Sequence, residues 1–176
     1  MKITFIRHST LDIAPGICYG QSDVDVSANF DNEAHALRQT LCNKTFDAVF
    51  TSPLQRCSKL AKACGYAHAV PDSRLKELNF GAWEMKAWDE IVDPQIEIWY
   101  SDWLDERPTG GESFYDMMKR FESFIDEQKT MHRGGHILVF THSGIIRAAG
   151  ILAGIYNFTS AFDAQIGYAK AYEMEL

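Results

Sequence analysis

Three short segments of this chain set cation-capable side chains beside hydroxyls: Arg7-His8-Ser9, Thr51-Ser52-Pro53 followed by Arg56, and Thr141-His142-Ser143-Gly144. Guanidinium groups present fixed forks of N–H donors that match phosphate oxygens. An imidazole is a donor in either charge state and a nucleophile when neutral. Each segment alone is a weak signal. A lone histidine near a strand end is more often a satisfied polar residue than a catalyst, and Arg56 by itself reads as an exposed helix residue. The signal is the recurrence, because all three segments follow apolar, strand-like runs.

The elements that must position them alternate. Lys2–Arg7 reads as a strand with Ile3 and Phe5 on one face and Thr4 and Ile6 on the other. Residues 9–30, with Pro15-Gly16, Gly20 and several Asp, read as a long loop, and 31–42 as a helix capped by Asp31 or Asn32. A second strand covers Phe46–Thr51, and Ser52-Pro53 resembles a helix start, with proline at the first helical position. That helix carries Leu54, Cys57, Leu60, Ala61 and Cys64 and stops at Gly65. Residues 86–130 read as mostly helical, and Ser113 with Asp116 resembles a capping box for a helix to about Lys129. His136–Thr141 is a third apolar strand, a helix follows over 143–153, and Tyr168–Leu176 alternates like an edge strand. Strand–helix alternation with continuously apolar strands predicts an α/β fold with a mostly parallel sheet covered on both faces. In such sheets ligands gather at the carboxyl ends of strands, where helix N-termini also point. Arg7, His8, Ser9, Arg56, His142 and Ser143 then converge on one sheet edge as an anion site, for which phosphate fits best. His35, His68 and His132 lack such company, and His136 starts its strand at the wrong edge.

Composition sets the context. At 176 residues the chain reads as one domain, 1–176, and its 46% hydrophobic and 23% charged residues exclude disorder. A net charge of −7 argues against nucleic acid or anionic membrane as a partner. No apolar run reaches the ~20 residues of a membrane helix, and the N-terminus reads as a buried strand rather than a signal peptide. Cys18, Cys42, Cys57 and Cys64 show no C-x-x-C pair or metal-ligand ladder, so they read as reduced thiols in a cytoplasm. The sequence sets no oligomeric state.

The segments Arg7-His8-Ser9, Ser52-Pro53-Leu54-Gln55-Arg56, Glu77-Leu78-Asn79-Phe80-Gly81-Ala82-Trp83-Glu84, Gly110-Gly111-Glu112-Ser113 and Thr141-His142-Ser143-Gly144 resemble, in order, the motifs of the histidine phosphatase superfamily, the phosphoglycerate mutase-like group. The stretch from Gly16 to Val24 is similar to the α-ribazole phosphatase branch of that group, which serves cobalamin assembly. The resemblance implies a three-layer α/β/α sandwich with a helical lid insertion around 85–130. It also implies a metal-independent, cofactor-free phosphomonoesterase acting on a small phosphorylated molecule. His8 would be the nucleophile, becoming phosphohistidine; Arg7, Arg56 and His142 would bind the phosphoryl oxygens, with Ser9 and Ser143 beside them; Glu77 would serve as acid and then base. The competing reading of Glu77 is a salt bridge to Arg74 or Lys76, and the competing carboxylate is Glu84, to which we assign a structural role.

The chain departs from the family in three places. Ser9 stands where glycine is usual, no Asn occurs between Thr10 and Pro15, and Ile17 replaces an Arg ahead of the G-x-x-D element. These losses argue against a bisphosphate or phosphoglycerate specialist. Trp83, Trp88, Trp99 and Trp103, joined by Tyr100, read either as a satellite core or as an aromatic wall for a planar base, with Cys18-Tyr19 opposite. A metallohydrolase using His8, His142 and Glu77 as ligands lacks typical metal spacing. A silent phosphate-binding scaffold, a broad-specificity phosphatase and a mutase complete the alternatives.

Overall fold

The computed structural model describes residues Met1–Leu176. The elements run β1 (Lys2–Arg7), α1 (Phe30–Leu41), β2 (Ala48–Thr51), α2 (Gln55–Ala63), β3 (Val70–Pro71), α3 (Gln95–Ser101), α4 (Phe114–Met131), β4 (His136–Thr141), α5 (Ser143–Leu152), α6 (Phe158–Asp163) and β5 (Ala171–Glu175). The strands form one sheet in the order β3-β2-β4-β1-β5. All pairs are parallel except β1 with β5, which is antiparallel. Register sets Arg7 opposite Thr141 and Thr51 opposite Phe140, so the carboxyl ends of β2, β4 and β1 lie side by side.

Period-two alternation divides the core. Ile3, Phe5, Ile137 and Val139 pack with Met117, Phe121 and Phe124 of α4 and Ile145 of α5 on one face. Ile6, Leu138 and Phe140 pack with Leu37 of α1 and Leu60 of α2 on the other. This is the expected α/β/α sandwich.

Three expectations need correction. The insertion over 85–130 is not one lid: α4 is a layer helix whose Phe121 and Phe124 are fully buried against the sheet. Its start is the expected capping box, in which Ser113 and Asp116 exchange side-chain-to-backbone hydrogen bonds. Only the stretch before it, with α3, forms a separate small cluster around Trp83, Trp99, Ile91 and Ile96. Ser52 is also not a helix cap. The cap position of α2 falls on Leu54, because the Ser52 hydroxyl is taken by His142. Likewise α1 is capped at Asn29, without a side-chain hydrogen bond, rather than at Asp31 or Asn32.

The layer role of α4 has a measurable consequence. Phe121→Ala should lower unfolding stability by about 3–5 kcal/mol in urea melts, as for a buried ring. A helix lying over the fold as a lid would tolerate the change at small cost.

Candidate functional site

His8 follows β1, Ser52 follows β2 and His142 follows β4, so the sheet register alone gathers them. His8 is 1% exposed, and its Nδ1–H donates to the Ser9 carbonyl at 2.8 Å. That bond fixes the tautomer and leaves Nε2 bare, the state a nucleophile needs. Burial, then the Arg56 charge and more weakly Arg7, hold the His8 pKa well below 6.5, against the opposing pull of the Ser9 hydrogen bond.

His142 is fully buried. Its Nε2 pairs with Ser52 Oγ at 2.8 Å, while Arg56 Nε donates to its Nδ1 at 3.3 Å. Burial and the neighbouring Arg56 charge drive its pKa well below 6.5 as well, so both rings are neutral near pH 7. The two rings lie 5.3 Å apart, centre to centre.

Arg56 is wholly buried, yet forms no ion pair with any carboxylate; its Nη1 and Nη2 donate to the carbonyls of Ser22 at 2.8 Å and Gly20 at 2.6 Å. The loop that supplies those carbonyls is pinned by Glu84, which accepts from Gln21 N (2.8 Å), Ser22 N (2.6 Å) and Phe80 N (3.1 Å). Glu84 is thus the structural carboxylate that the sequence suggested, and its role is to hold the loop that aims Arg56. Gly20 has to be glycine, since a Cβ there would lie 2.3 Å from Glu84 Oε1. Arg7 donates from Nη1 to the Ile166 carbonyl, also without a carboxylate partner. Its Nε and the hydroxyl of Ser9 are buried with no hydrogen-bond partner, which makes both available to a ligand oxygen.

Glu77 does not pair with Arg74 or Lys76. Arg74 is engaged by Asp72 and Glu127 instead. The Glu77 carboxylate caps α5: it accepts from Gly144 N at 3.1 Å and from the Ser143 hydroxyl at 3.2 Å. Helix N-termini hold carboxylates in this way through unpaired N–H groups and the helix dipole. Its backbone is fixed separately, by Arg120 Nη2 (2.9 Å) and Gln21 Nε2 (3.0 Å) donating to its carbonyl. A Cβ on Gly144 would lie 2.2 Å from Glu77 Oε1, so glycine is needed for this approach.

A cleft of about 200 Å³ opens beside Glu77 and Ser143. Its walls include Tyr19, Phe80, Trp88, Phe114 and Phe162, with Arg147 as its single cation. Of the tryptophan cluster only Trp88 faces this cleft. Trp83 and Trp99 form the satellite core, and Trp103 packs on Phe114 and Phe162. No group of three or more His, Cys, Asp and Glu side chains is arranged to hold a metal ion. No helix is long and apolar enough to cross a membrane.

The sequence reading missed Arg147 and Tyr168. Arg147 is one helical turn beyond Ser143 and donates to the carbonyls of Ala161 and Ala164, which ties α5 to α6. Tyr168 lies over Arg7, its ring centre 3.8 Å from the guanidinium carbon. The available signal was the edge strand: running antiparallel to β1, β5 must start at the sheet end where β1 finishes, so the residues just before it border the site.

Comparison with known proteins finds relatives that share the fold. The chain is 28% identical over 153 residues to the adenosylcobalamin/alpha-ribazole phosphatase of Salmonella typhimurium, covering 83% of this chain and 76% of that protein. It is 26% identical over 156 residues to phosphoserine phosphatase 1 of Hydrogenobacter thermophilus, covering 84% and 74%. The crystal structure of the alpha-ribazole phosphatase from Shigella flexneri shares the fold with a TM-score of 0.88 at 23% identity, over 100% of this chain and 91% of that one. The model of the histidine phosphatase superfamily (branch 1) matches residues 3–176. With that match over a sheet edge carrying His8, Arg7, Arg56 and His142, the chain belongs to branch 1 of the histidine phosphatase superfamily.

Proposed function

We propose that the protein is a metal-independent phosphomonoesterase that hydrolyses α-ribazole 5′-phosphate to α-ribazole and inorganic phosphate. The observation that carries the substrate class is the cleft beside Glu77, walled by Tyr19, Phe80, Trp88, Phe114 and Phe162. Aromatic walls suit a flat heterocycle on the leaving alcohol. The relatives of known name support the same substrate, since an adenosylcobalamin/alpha-ribazole phosphatase is among them.

In this mechanism the bare Nε2 of His8 attacks phosphorus in line, the P–O bond to the alcohol breaks, and Glu77 gives its proton to the departing oxygen. Water then attacks the phosphohistidine, Glu77 takes back a proton, and the N–P bond breaks to release phosphate and restore His8. Arg7 and Arg56 neutralise charge on the equatorial oxygens, which is where most of the catalysis of phosphoryl transfer resides. His142 keeps Arg56 and Ser52 in register. Ser9, with its free buried hydroxyl, supplies a further donor to the phosphoryl group, and Ser143 orients Glu77.

One observation favours a second reading. Arg147 is a cation in the leaving-group cleft without a carboxylate partner, and it suits a carboxylate-bearing alcohol such as that of phosphoserine. Comparing kcat/KM for α-ribazole 5′-phosphate, phosphoserine, 3-phosphoglycerate and nucleotide monophosphates separates the readings. We expect the first to lead by about tenfold or more, the scale on which apolar contacts discriminate. A lead for phosphoserine, abolished in Arg147→Met, would establish the second reading.

Catalytic variants test the roles. His8→Ala should abolish turnover. Glu77→Gln should reduce kcat by about 10²–10⁴-fold with little change in phosphate affinity, as for loss of a general acid. Gly144→Ala should mimic it in part, because the added Cβ displaces the Glu77 carboxylate. Full activity in Glu77→Gln would remove that residue from the mechanism.

Acid sensitivity follows from the two buried neutral imidazoles. Their folded pKa values lie below the ordinary 6.5, so below that pH the unfolded chain binds more protons than the folded one. Their contribution to stability is therefore complete above pH 6.5 and is lost as pH falls toward the folded values, by about 1.4 kcal/mol per pH unit for each ring. Urea melts at pH 7.5 and 5.5 should show the drop, and His142→Gln should make it shallower.

A further inference from the structure

The phosphoryl-binding groups are walled off from the cleft that takes the leaving group. His8 is 1% exposed and Arg56 and His142 are not exposed at all, and none of them lines that cleft. Two phenol rings flank the nucleophile and its arginines. The Tyr168 ring centre lies 3.8 Å from the guanidinium carbon of Arg7 and 5.6 Å from the His8 ring. Tyr19 lies 5.4 Å from the guanidinium carbon of Arg56 and meets the His8 ring edge-on at 6.4 Å. Each tyrosine thus covers one arginine and one side of the nucleophile. Burial and then the neighbouring Tyr168 phenol raise the Tyr19 pKa. Tyr19 is at the same time a wall of the leaving-group cleft, so it stands between the two halves of the site.

Both rings adjoin backbone in the left-handed region. Each precedes a residue with positive φ: Gly20 at 36° and Ala169 at 48°. For alanine that conformation is unfavourable, and strain of this kind concentrates at functional sites. Here it is held by the Ala169 N–H, which donates to the carbonyls of Arg7 and His8 at 3.1 Å each. Tyr168 is therefore bolted directly to the segment bearing the nucleophile.

We propose that Tyr19 and Tyr168 are positioning residues that hold the two guanidinium groups and close as a roof over His8, and that a phosphomonoester enters by parting them. The inference rests on the reading of His8 as nucleophile, since a substrate spanning the cleft and the His8 pocket must pass between these rings. Closure would exclude water from the guanidinium–phosphate contacts, which strengthens them. It would also supply the grip that the absent loop Asn and Arg leave unfilled.

Access to His8 can be read without turnover, by its rate of modification with diethyl pyrocarbonate followed by peptide mapping. In the unaltered protein His8 should react more slowly than the exposed His35 and His68. If the open form is a minor state of ~10% or less, Tyr19→Ala and Tyr168→Ala should each raise the His8 rate by about tenfold or more. Tyr19→Phe and Tyr168→Phe, which keep the rings, should stay near the unaltered rate. His136, at the opposite end of the sheet, reports overall loosening and should not change. The roof is overturned if His8 reacts as fast as His35 in the unaltered protein, if the alanine variants leave its rate unchanged, or if His8 and His136 rise together. Turnover surviving in His8→Ala would instead overturn the nucleophile and leave the labelling result standing.

Discussion

A guanidinium with no exposure to solvent and no carboxylate partner is the constraint around which this molecule is arranged. A buried charge is costly unless it is well hydrogen-bonded. Arg56 meets that cost with carbonyl oxygens from Gly20 and Ser22 and with the imidazole of His142, all of which carry partial rather than full negative charge. The positive charge is therefore solvated but not neutralised. In a chain of net charge −7, two arginines without carboxylate partners that both act on His8 at one sheet edge give the local positive charge that the proposed phosphoryl site needs. Everything that fixes the Gly20–Ser22 loop serves this end, including Glu84, whose carboxylate gathers the backbone N–H groups that would otherwise let the loop turn.

Burial, reinforced by the same cation, sets the state of both histidines. A neighbouring positive charge disfavours imidazolium, and burial acts in the same direction. Both rings are neutral, and each tautomer is fixed by one partner: the Ser9 carbonyl accepts from Nδ1–H of His8, and Arg56 Nε–H donates to Nδ1 of His142, which leaves Nε2–H to face Ser52 Oγ. The consequences differ. His8 keeps Nε2 free for chemistry, whereas both nitrogens of His142 are occupied by protein groups. The direct contact with phosphoryl oxygen that family resemblance implies needs an N–H donor, so it would require the Nε2–H of His142 to leave Ser52 Oγ, or its Nδ1 to take up a proton on losing Arg56.

Much of this was legible in the sequence because the relevant information is local. Apolar runs ending in Arg7-His8, Thr51-Ser52 and Thr141-His142 locate three strand ends, and parallel pairing then does the rest. The capping box at Ser113 is legible for the same reason, since both partners lie within one turn. What could not be read depends on long-range packing. Ser52-Pro53 has the composition of a helix start, but the hydroxyl was claimed by a ring 90 residues away. The segment leading into α4 is aromatic enough to suggest a lid, while α4 itself is buried because the sheet needs a cover on that face. Tyr168 and Arg147 carry no local signal at all. They become part of the site only once β5 is known to run antiparallel to β1 and α5 to be tied to α6.

The division between the two halves of the site explains why fold and substrate are unequally determined. The phosphoryl half is built from strand ends and helix starts, and its geometry is fixed by the sheet; any member with this register inherits it. The leaving-group half combines Phe114 of α4 and Arg147 of α5 with the loop at Tyr19, the short turns at Phe80 and Trp88, and the end of α6 at Phe162, and these loops and turns are peripheral to the layers. Such elements can change without disturbing the layers beneath. The relatives this chain matches are named for different substrates, an adenosylcobalamin/alpha-ribazole phosphatase and a phosphoserine phosphatase. In this chain the second half is aromatic on most sides with one cation, Arg147, whose N–H groups are already partly committed to the Ala161 and Ala164 carbonyls. A fully available arginine would favour a charged leaving group; the two carbonyl tethers on Arg147 leave it less to offer one, which fits the aromatic-walled substrate proposed above.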